Sequence, residues 1–266
     1  MASDPLFTEV APRVWVLRHP WYDVNLTCVG GERGLLLVDT HASDAAAREV
    51  LDLARGLGAG PVVAVANTHD HHDHVLGNAT VRDDFPGVPI HAHEECAAGV
   101  ARLEAGRVVV PDHTFSSAAV VDLGDRAVEL VHPGAGHTAG DVVVRVPDAD
   151  VLLAGDLVEE SAPPAYGDDS FPLEWPRALD LVLQLIGPDT VVVPGHGAVV
   201  DHGFVLEQRG DIGVVAETIR DLASRGVPIG QALEAAEWPF PREALADAVR
   251  RGYGQLPRGG RQLPLL

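Results

Sequence analysis

Short apolar runs and amphipathic stretches alternate along the chain, and their periods predict a mixed fold of strands and helices. Apolar or β-branched runs separated by turn residues predict strands in both halves of the chain. The predicted strands are Val14–Leu17, Asn25–Val29, Gly34–Val38, Val62–Ala66, Val88–His91, Val120–Leu123, Ala127–His132, Asp141–Val146, Val151–Ala154 and Thr190–Val193.

Apolar residues at helical spacing follow each block of strands. The predicted helices are Ala42–Leu57, Leu76–Asp83 (a short helix or a loop), Glu94–Ala105, Leu173–Ile186 and most of the chain from about Val205 onwards. A Pro-, Gly- and Ser-rich loop is predicted over Ser161–Pro172. Because each strand block is followed by helices, we expect two half-structures, each a sheet with helices on its outer face, with the two sheets packed together in the middle.

The length and composition fit one large core, since the chain has 266 residues of which 46% are apolar. We expect a single domain over residues 1–266, with a core over about 10–200 and a C-terminal helical extension over about 201–266. The 39 acidic and 19 basic residues give a formal charge of −20, which argues against nucleic acid or a membrane surface as partner. All the basic residues are arginine, so chemistry that needs a lysine nucleophile is excluded.

Features that report on location point to the cytoplasm. Cys28 and Cys96 form no CxxC pair, which fits free thiols in a reducing compartment. The N-terminal segment lacks the basic and apolar regions of a signal peptide, and no apolar run approaches the ~20 residues of a membrane span. We therefore expect a cytoplasmic protein with a small-molecule substrate, and the sequence leaves open whether it is a monomer or a homodimer.

Four of the 13 histidines fall within Thr68–His74, directly after a predicted strand. Imidazole and carboxylate are the usual ligands of zinc, and imidazole also suits iron. In an extended segment His69 and His71 project to one side and can share a metal. Asp73 and His74 follow one turn later, which places them to serve a second metal.

Three further candidate ligands occur downstream, each beside a glycine at the end of a predicted strand. They are His137 in GHTAGD, Asp156 in LLAGD and His196 in PGHG. Glycine allows close approach of the backbone, and strand ends commonly present the side chains of active sites. A surface metal-chelating tract would explain the cluster alone, but the joint pattern favours a metal site assembled by the fold.

The motif order HxHxDH, GHTxGD, AGD and PGHG, spread over about residues 10–200, resembles the metallo-β-lactamase-fold superfamily. The resemblance implies an α/β (α+β) fold, a four-layer αββα sandwich, here with added C-terminal helices. It further implies one metal held by His69, His71 and His137, a second held by Asp73, His74 and His196, and Asp156 as the bridge between them. Asp39 matches a position at which an aspartate supports the histidine loop, and a cap or turn residue is the alternative interpretation.

The same resemblance implies a hydrolase with two zinc ions per chain, with iron or manganese as alternative metals. Because a zinc-bound water has a pKa near ~7, a metal-bridging hydroxide would be the nucleophile, and Asp73 would orient it and accept its proton. The bond cleaved would be a small-molecule ester, thioester or lactone. Trp21, Tyr22 and Tyr166 are candidate substrate contacts, for which ordinary packing is the competing interpretation.

Several alternatives stay open. A mononuclear iron persulfide dioxygenase of the same superfamily carries nearly the same motifs. A β-lactamase is disfavoured, because the best-known zinc lactamases lack a histidine at the position of His74 or an aspartate at that of Asp156. A glutathione thioesterase would use basic residues near the C-terminus, for which Arg250 and Arg251 are available. A non-catalytic metal-binding module would bind metal without turnover.

Overall fold

The computed structural model describes residues 6–104 and 106–256. Its strands are β1 Thr8–Ala11, β2 Val14–His19, β3 Val24–Gly31, β4 Gly34–Val38, β5 Val62–Ala66, β6 Ile90–His93, β7 His113–Phe115, β8 Ala118–Asp122, β9 Ala127–Val131, β10 Val143–Val146, β11 Val151–Glu159 and β12 Val191–His196. Its helices are α1 Asp44–Gly56, α2 His72–Val75, α3 Asn78–Asp84, α4 Glu94–Val100, α5 Trp175–Leu185, α6 His202–Ser224, α7 Ile229–Ala232 and α8 Ala246–Gln255, with 3₁₀ turns at Pro147–Ala149 and Arg242–Ala244.

The strands form two sheets that join at one corner. The first sheet has the order β1-β2-β3-β4-β5-β6-β7 and the second β8-β9-β10-β11-β12. Strands β3 and β12 pair with each other at Val24 and His196. From this point the two sheets diverge and face each other. One candidate metal ligand therefore lies at the junction itself.

The two faces of β4 show why this sequence forms buried strands. Side chains alternate across a strand, so Leu36 points into the layer between the two sheets, whereas Leu35 and Leu37 point to the outer layer. The sequence of β4 is apolar without interruption because both faces of this strand are covered. In the central layer the side chains of the first sheet meet Leu130 and Leu153 from the second.

Helices cover the outer face of each sheet and complete the four-layer arrangement. On the first sheet, the buried residues of α1 pack against β4, and the Ser43 side chain caps the helix by accepting a hydrogen bond from the Ala46 amide at 3.2 Å. On the second sheet, Trp175 at the start of α5 is fully buried, and its indole nitrogen donates to the Leu157 carbonyl at 3.2 Å. The predicted αββα architecture is confirmed.

The C-terminal helices share the core of the second sheet. Ile212, Ile219 and Ala248 from α6 and α8 are fully buried in the same apolar cluster as Trp175 and Leu157. The extension therefore packs directly on the sandwich, while the division of the chain into a core and an extension stays a prediction. No helix within the described ranges is long and apolar enough to cross a bilayer.

Several predicted boundaries were wrong. Strands β1 and β7 were missed, because they are short edge segments with exposed positions that give no clear alternation. Helix α4 ends at Val100 instead of continuing to position 105, a residue outside the described part of the chain. The short helix α2, which begins at His72 directly after the extended residue His71, was not predicted.

The largest correction concerns Asp156, which was expected at the end of a strand but lies inside β11. The glycine before it was expected to allow close approach of the backbone at a strand end. In the structure Gly155 has a φ of +53°, and the register with β12 shifts there, which makes it an irregularity within a strand that continues to Glu159. A Cβ at Gly155 would lie 2.8 Å from the Thr68 Cβ, so the backbone does approach closely here.

Candidate metal centre

The candidate ligands come together at the corner where the two sheets join. The two histidines after β5, the loop after β9 and the middle of β11 contribute one group of donor atoms that all lie within 4.8 Å of one another: His69, His71, His137 and Asp156. A second group combines two residues of α2 with the end of β12: Asp73, His74 and His196. All these side chains are buried except that of His71, which is half-buried. The structure therefore unites residues that lie up to 127 positions apart in the sequence, from His69 to His196.

Asp156 lies between the two groups. One carboxylate oxygen, Oδ2, lies 3.4 Å from His137 Nε2 and 3.3 Å from His196 Nε2, and the other, Oδ1, lies 3.2 Å from His74 Nε2. Space for this carboxylate comes from Gly195, where a Cβ would lie only 1.8 Å from Asp156 Oδ1. Any larger residue at position 195 would displace the carboxylate.

Three of the histidines are fixed through the nitrogen that faces away from the centre. His74 Nδ1 lies 2.8 Å from Asp39 Oδ2, His137 Nδ1 lies 2.9 Å from the Ala165 carbonyl, and His196 Nδ1 lies 2.8 Å from the Tyr22 carbonyl. Since a carbonyl or carboxylate oxygen only accepts, each Nδ1 carries the proton and donates it. The Nε2 atom of each ring is then free to act as a ligand.

The remaining two histidines are fixed in the same manner. His71 donates from Nε2 to the Asp169 carboxylate at 3.0 Å, so its Nδ1 faces the centre. His69 Nδ1 lies 3.0 Å from Thr68 Oγ1, whose proton is directed to Asp39. His69 Nε2 is buried and has no hydrogen-bond partner in the described part of the chain, and the same is true of Asp156 Oδ1. A bound cation would satisfy both atoms, so the donor set fits a metal.

Asp39 supports the histidine segment with both carboxylate oxygens. It accepts hydrogen bonds from the Thr68 amide at 2.8 Å, from the Thr68 hydroxyl at 2.7 Å and from His74 at 2.8 Å. The residue is buried and has a φ of +61°, a conformation that non-glycine residues adopt only at a cost. This position matches the supporting role expected for Asp39 and differs from that of a helix cap.

Burial and mutual charge set the protonation of the centre. Burial lowers the pKa of His137 to about 4 and that of His69 well below its usual range. Burial also opposes protonation of His196 and His74, but the Asp156 carboxylate outweighs it, raising the pKa of His196 to about 9 and that of His74 well above its usual range. Despite its burial, Asp156 has a pKa well below the usual range because of these histidines.

Zinc binding is expected to release protons at neutral pH, because only neutral imidazole is a ligand. The pKa of His196 without metal is about 9, so protons compete with zinc below that pH. The apparent zinc affinity should therefore rise with pH and level off above about 9. Calorimetric titrations in buffers of different ionisation enthalpy count the protons released. An affinity that does not change between about pH 6 and 9 would contradict the assignment of His196 as a ligand.

A cavity of about 570 Å³ opens onto the centre. Its wall includes Tyr22 from the hairpin between β2 and β3, Tyr166 from the loop after β11, and residues near the start of α8. Of the three predicted substrate contacts, Tyr22 and Tyr166 line the cavity. Trp21 lies outside it, has 48% of its surface exposed and packs on the ring of His41. The histidines of the centre that reach the wall are His71, His137 and His196.

The sequence did not reveal two carboxylates beside the centre. Asp169 orients His71 from a loop whose course no periodicity predicts. Glu159, three residues after Asp156 in β11, has a carboxylate oxygen within 4.8 Å of donor atoms of Asp156 and His196, so these three side chains form a further potential metal group. Burial and the charge of Asp156 raise the pKa of Glu159 to about 7. The sequence signal that could have revealed Glu159 was the length of the largely apolar run that starts at Val151, for which the predicted strand was too short.

Asp169 is expected to strengthen metal binding through His71. Replacing it with alanine should weaken zinc affinity by about 10–100-fold, since partners that orient a ligand histidine typically contribute that much. Competition with a chromophoric chelator measures the affinity. The neighbouring Asp168 is exposed, so Asp168→Ala provides a matched control that should bind zinc like the unchanged protein. Equal affinities of the two variants would remove Asp169 from the centre.

Comparison with known proteins gives consistent results. The family model described as "Metallo-beta-lactamase superfamily" matches residues 19–196, a segment that contains every candidate ligand. The "Metallo-beta-lactamase type 2" of Bacillus cereus is 30% identical over 176 residues, which cover 65% of this chain and 67% of that relative. A "Hydroxyacylglutathione hydrolase" of Gloeobacter violaceus is 33% identical over 115 residues, which cover 43% of this chain and 41% of that relative.

Solved structures show the same similarity. A metallo-beta-lactamase from Pontibacter korlensis aligns with a TM-score of 0.69 at 27% sequence identity, covering 79% of this chain and 99% of that chain. The family model leaves residues 1–18 and the residues after His196 unmatched, so α6 to α8 lie outside the matched segment.

Proposed function

This chain belongs to the metallo-beta-lactamase superfamily of metal-dependent hydrolases, and we propose that it cleaves a small-molecule ester, thioester or lactone at a dinuclear zinc centre. One observation carries the proposal: each of the five histidines in the centre is held through one ring nitrogen by an oxygen atom, which leaves the other nitrogen facing one of the two donor groups. Such outer contacts fix the tautomer that a metal requires.

The donor types favour zinc. Three imidazoles form the first group, two imidazoles and a carboxylate form the second, and Asp156 contacts both. Nitrogen and carboxylate donors of this kind are usual for zinc, although iron and manganese accept similar sets. The buried and unpartnered atoms His69 Nε2 and Asp156 Oδ1 support a cation at this position.

When bound, zinc supplies a Lewis acid for the substrate oxygen and lowers the pKa of a coordinated water. Residues of the protein would orient that water and accept its proton. Asp73 lines the cavity, and its Oδ2 lies 3.4 Å from His196 Nε2, so its carboxylate is placed to accept the proton. Tyr22 and the segment around Tyr166 enclose the space in which the scissile bond would lie.

The two basic residues that could bind glutathione already have partners. Arg250 forms an ion pair at 2.8 Å with Asp247, which lies on the cavity wall. Arg251 donates to the Ser170 carbonyl at 2.9 Å and lies over the Phe171 ring, 5.4 Å from its centre. Neither arginine lines the cavity. These contacts favour an ester or lactone over a glutathione thioester.

A β-lactam is the second candidate substrate, because the Bacillus cereus relative bears that activity in its name. A cytoplasmic location, a small-molecule partner and the choice between monomer and homodimer stay predictions.

Turnover on a panel of substrates tests the proposed function. The zinc-loaded protein should hydrolyse at least one uncharged ester or lactone, and removal of the metal with a chelator should abolish this activity. Restoring zinc should restore it. Failure to hydrolyse any member of a panel of esters, lactones, thioesters and β-lactams would contradict the proposal.

A further inference from the structure

A second cavity adjoins the first one. It has a volume of about 300 Å³ and shares Glu159, Ala162 and Pro163 with the wall of the active-site cavity. Its opposite wall comes from α6 and from the segment before α8, where Phe204 and Phe240 contribute aromatic rings. The space therefore extends from the metal centre towards the C-terminal helices.

The ionisable side chains on this wall are all carboxylic acids: Glu159, Glu160, Glu207 and Asp211. Glu207 and Asp211 stand four residues apart on α6, a spacing at which like charges repel. Nearby arginines are already paired, Arg209 with Asp180 at 2.7 Å and Arg18 with Asp23 at 2.6 Å. Among the described residues, no arginine lines either cavity.

Tyr166, on the wall of the active-site cavity, gives an independent indication of a ligand. The residue is only 6% exposed, yet its hydroxyl forms no hydrogen bond with any of the described residues. Burial and the charge of Asp211, which lines the second cavity, both raise the pKa of this hydroxyl. A buried hydroxyl without a partner costs free energy, and a polar ligand group would offset this cost.

We propose that the substrate carries an ammonium group, which the second cavity binds while the scissile carbonyl lies at the metal centre. The proposal rests on the proposed hydrolase function and names its substrate class. Carboxylates attract the cation, and the Phe204 and Phe240 rings add the attraction of an aromatic face for a positive charge.

The same wall disfavours anionic substrates. β-Lactams and glutathione thioesters carry carboxylates, which would approach Glu159, Glu207 and Asp211 with no arginine on either described wall to compensate. A neutral ester fits the cavity but gains nothing from its charge. The substrate charge thus separates this proposal from the activities that the relatives' names suggest.

A pair of ligands with the same shape tests the inference without turnover. Choline carries a trimethylammonium group, and 3,3-dimethylbutan-1-ol replaces it with an uncharged tert-butyl group. Zinc-loaded protein should bind choline at least about tenfold more tightly, as measured by calorimetry or ligand-observed NMR, and added salt should reduce the difference. Equal affinity, or tighter binding of the neutral alcohol, would overturn the inference.

Variants on α6 test whether the ammonium group binds at the wall that this helix forms. The double variant Glu207→Gln/Asp211→Asn should bind choline about tenfold more weakly and the neutral alcohol equally well. Glu217→Gln removes one charge from the same helix outside both cavities, where Glu217 pairs with Arg220, and should bind choline unchanged. Unchanged choline binding by the double variant would contradict the assigned wall.

The choline-binding experiment and the hydrolysis panel test the two proposals separately. A protein that hydrolyses neutral esters but does not distinguish choline from its isostere retains the proposed function and loses the inference. A protein that prefers choline but hydrolyses nothing on the panel loses the proposed function instead.

Discussion

Replacing Asp156 with alanine is expected to release both metal ions and to lower the hydrolytic rate by more than about 100-fold. The carboxylate lies within 3.4 Å of nitrogen atoms of His74, His137 and His196, so it contacts donors of both groups. Outer contacts of metal ligands already contribute about 10–100-fold in affinity, and a shared ligand should contribute more. Metal content by mass spectrometry after dialysis, measured together with turnover, provides the test.

A nearby histidine offers the matched control. His72 belongs to the same HDHHDH segment, but its side chain is 54% exposed, its Nε2 contacts the Tyr22 hydroxyl, and its Nδ1 lies 3.7 Å from Asp73 Oδ1, outside both donor groups. His72→Ala should retain both metals. If Asp156→Ala lost only one metal, the two donor groups would be separate sites without a bridge.

Asp39→Asn is expected to destabilise the metal-free protein by about 3 kcal/mol and to weaken zinc binding by about 10–100-fold. Asparagine preserves the size of the side chain and tolerates the φ of +61° at this position. It loses the charge and replaces one acceptor oxygen with a donor that faces either Thr68 or His74, both of which already donate. Denaturant unfolding and chelator competition measure the two effects.

An exposed aspartate serves as the comparison for Asp39. Asp52 pairs with Arg55 on the surface of α1, where such a pair contributes little to stability. Asp52→Asn should change the free energy of unfolding by less than about 1 kcal/mol. A similarly small change for Asp39→Asn would show that the buried network does not hold the histidine segment.

The candidate ligands could be selected from the sequence because their chemistry is local. His69, His71, Asp73 and His74 lie in one short segment, and a glycine beside each of the later ligands signals a close backbone approach. The alternation of Leu35, Leu36 and Leu37 between two apolar layers likewise predicts a strand buried on both faces.

Other parts of the site depend on tertiary structure that local patterns do not encode. Asp169 reaches His71 from a loop 98 residues further along the chain, and its neighbour Asp168 has the same side chain but is exposed. The end of β11 was predicted too early because a glycine inside a strand and a glycine that ends one look alike in a sequence. The acidic wall formed by Glu207 and Asp211 appears only when α6 packs beside β11.

Metal stoichiometry tests the central claim most directly. Protein purified without oxygen should contain about two zinc ions per chain, and the zinc form should hydrolyse an ester or lactone without consuming oxygen. A single iron per chain, with oxygen uptake in the presence of a persulfide, would contradict the dinuclear hydrolase and favour the dioxygenase instead.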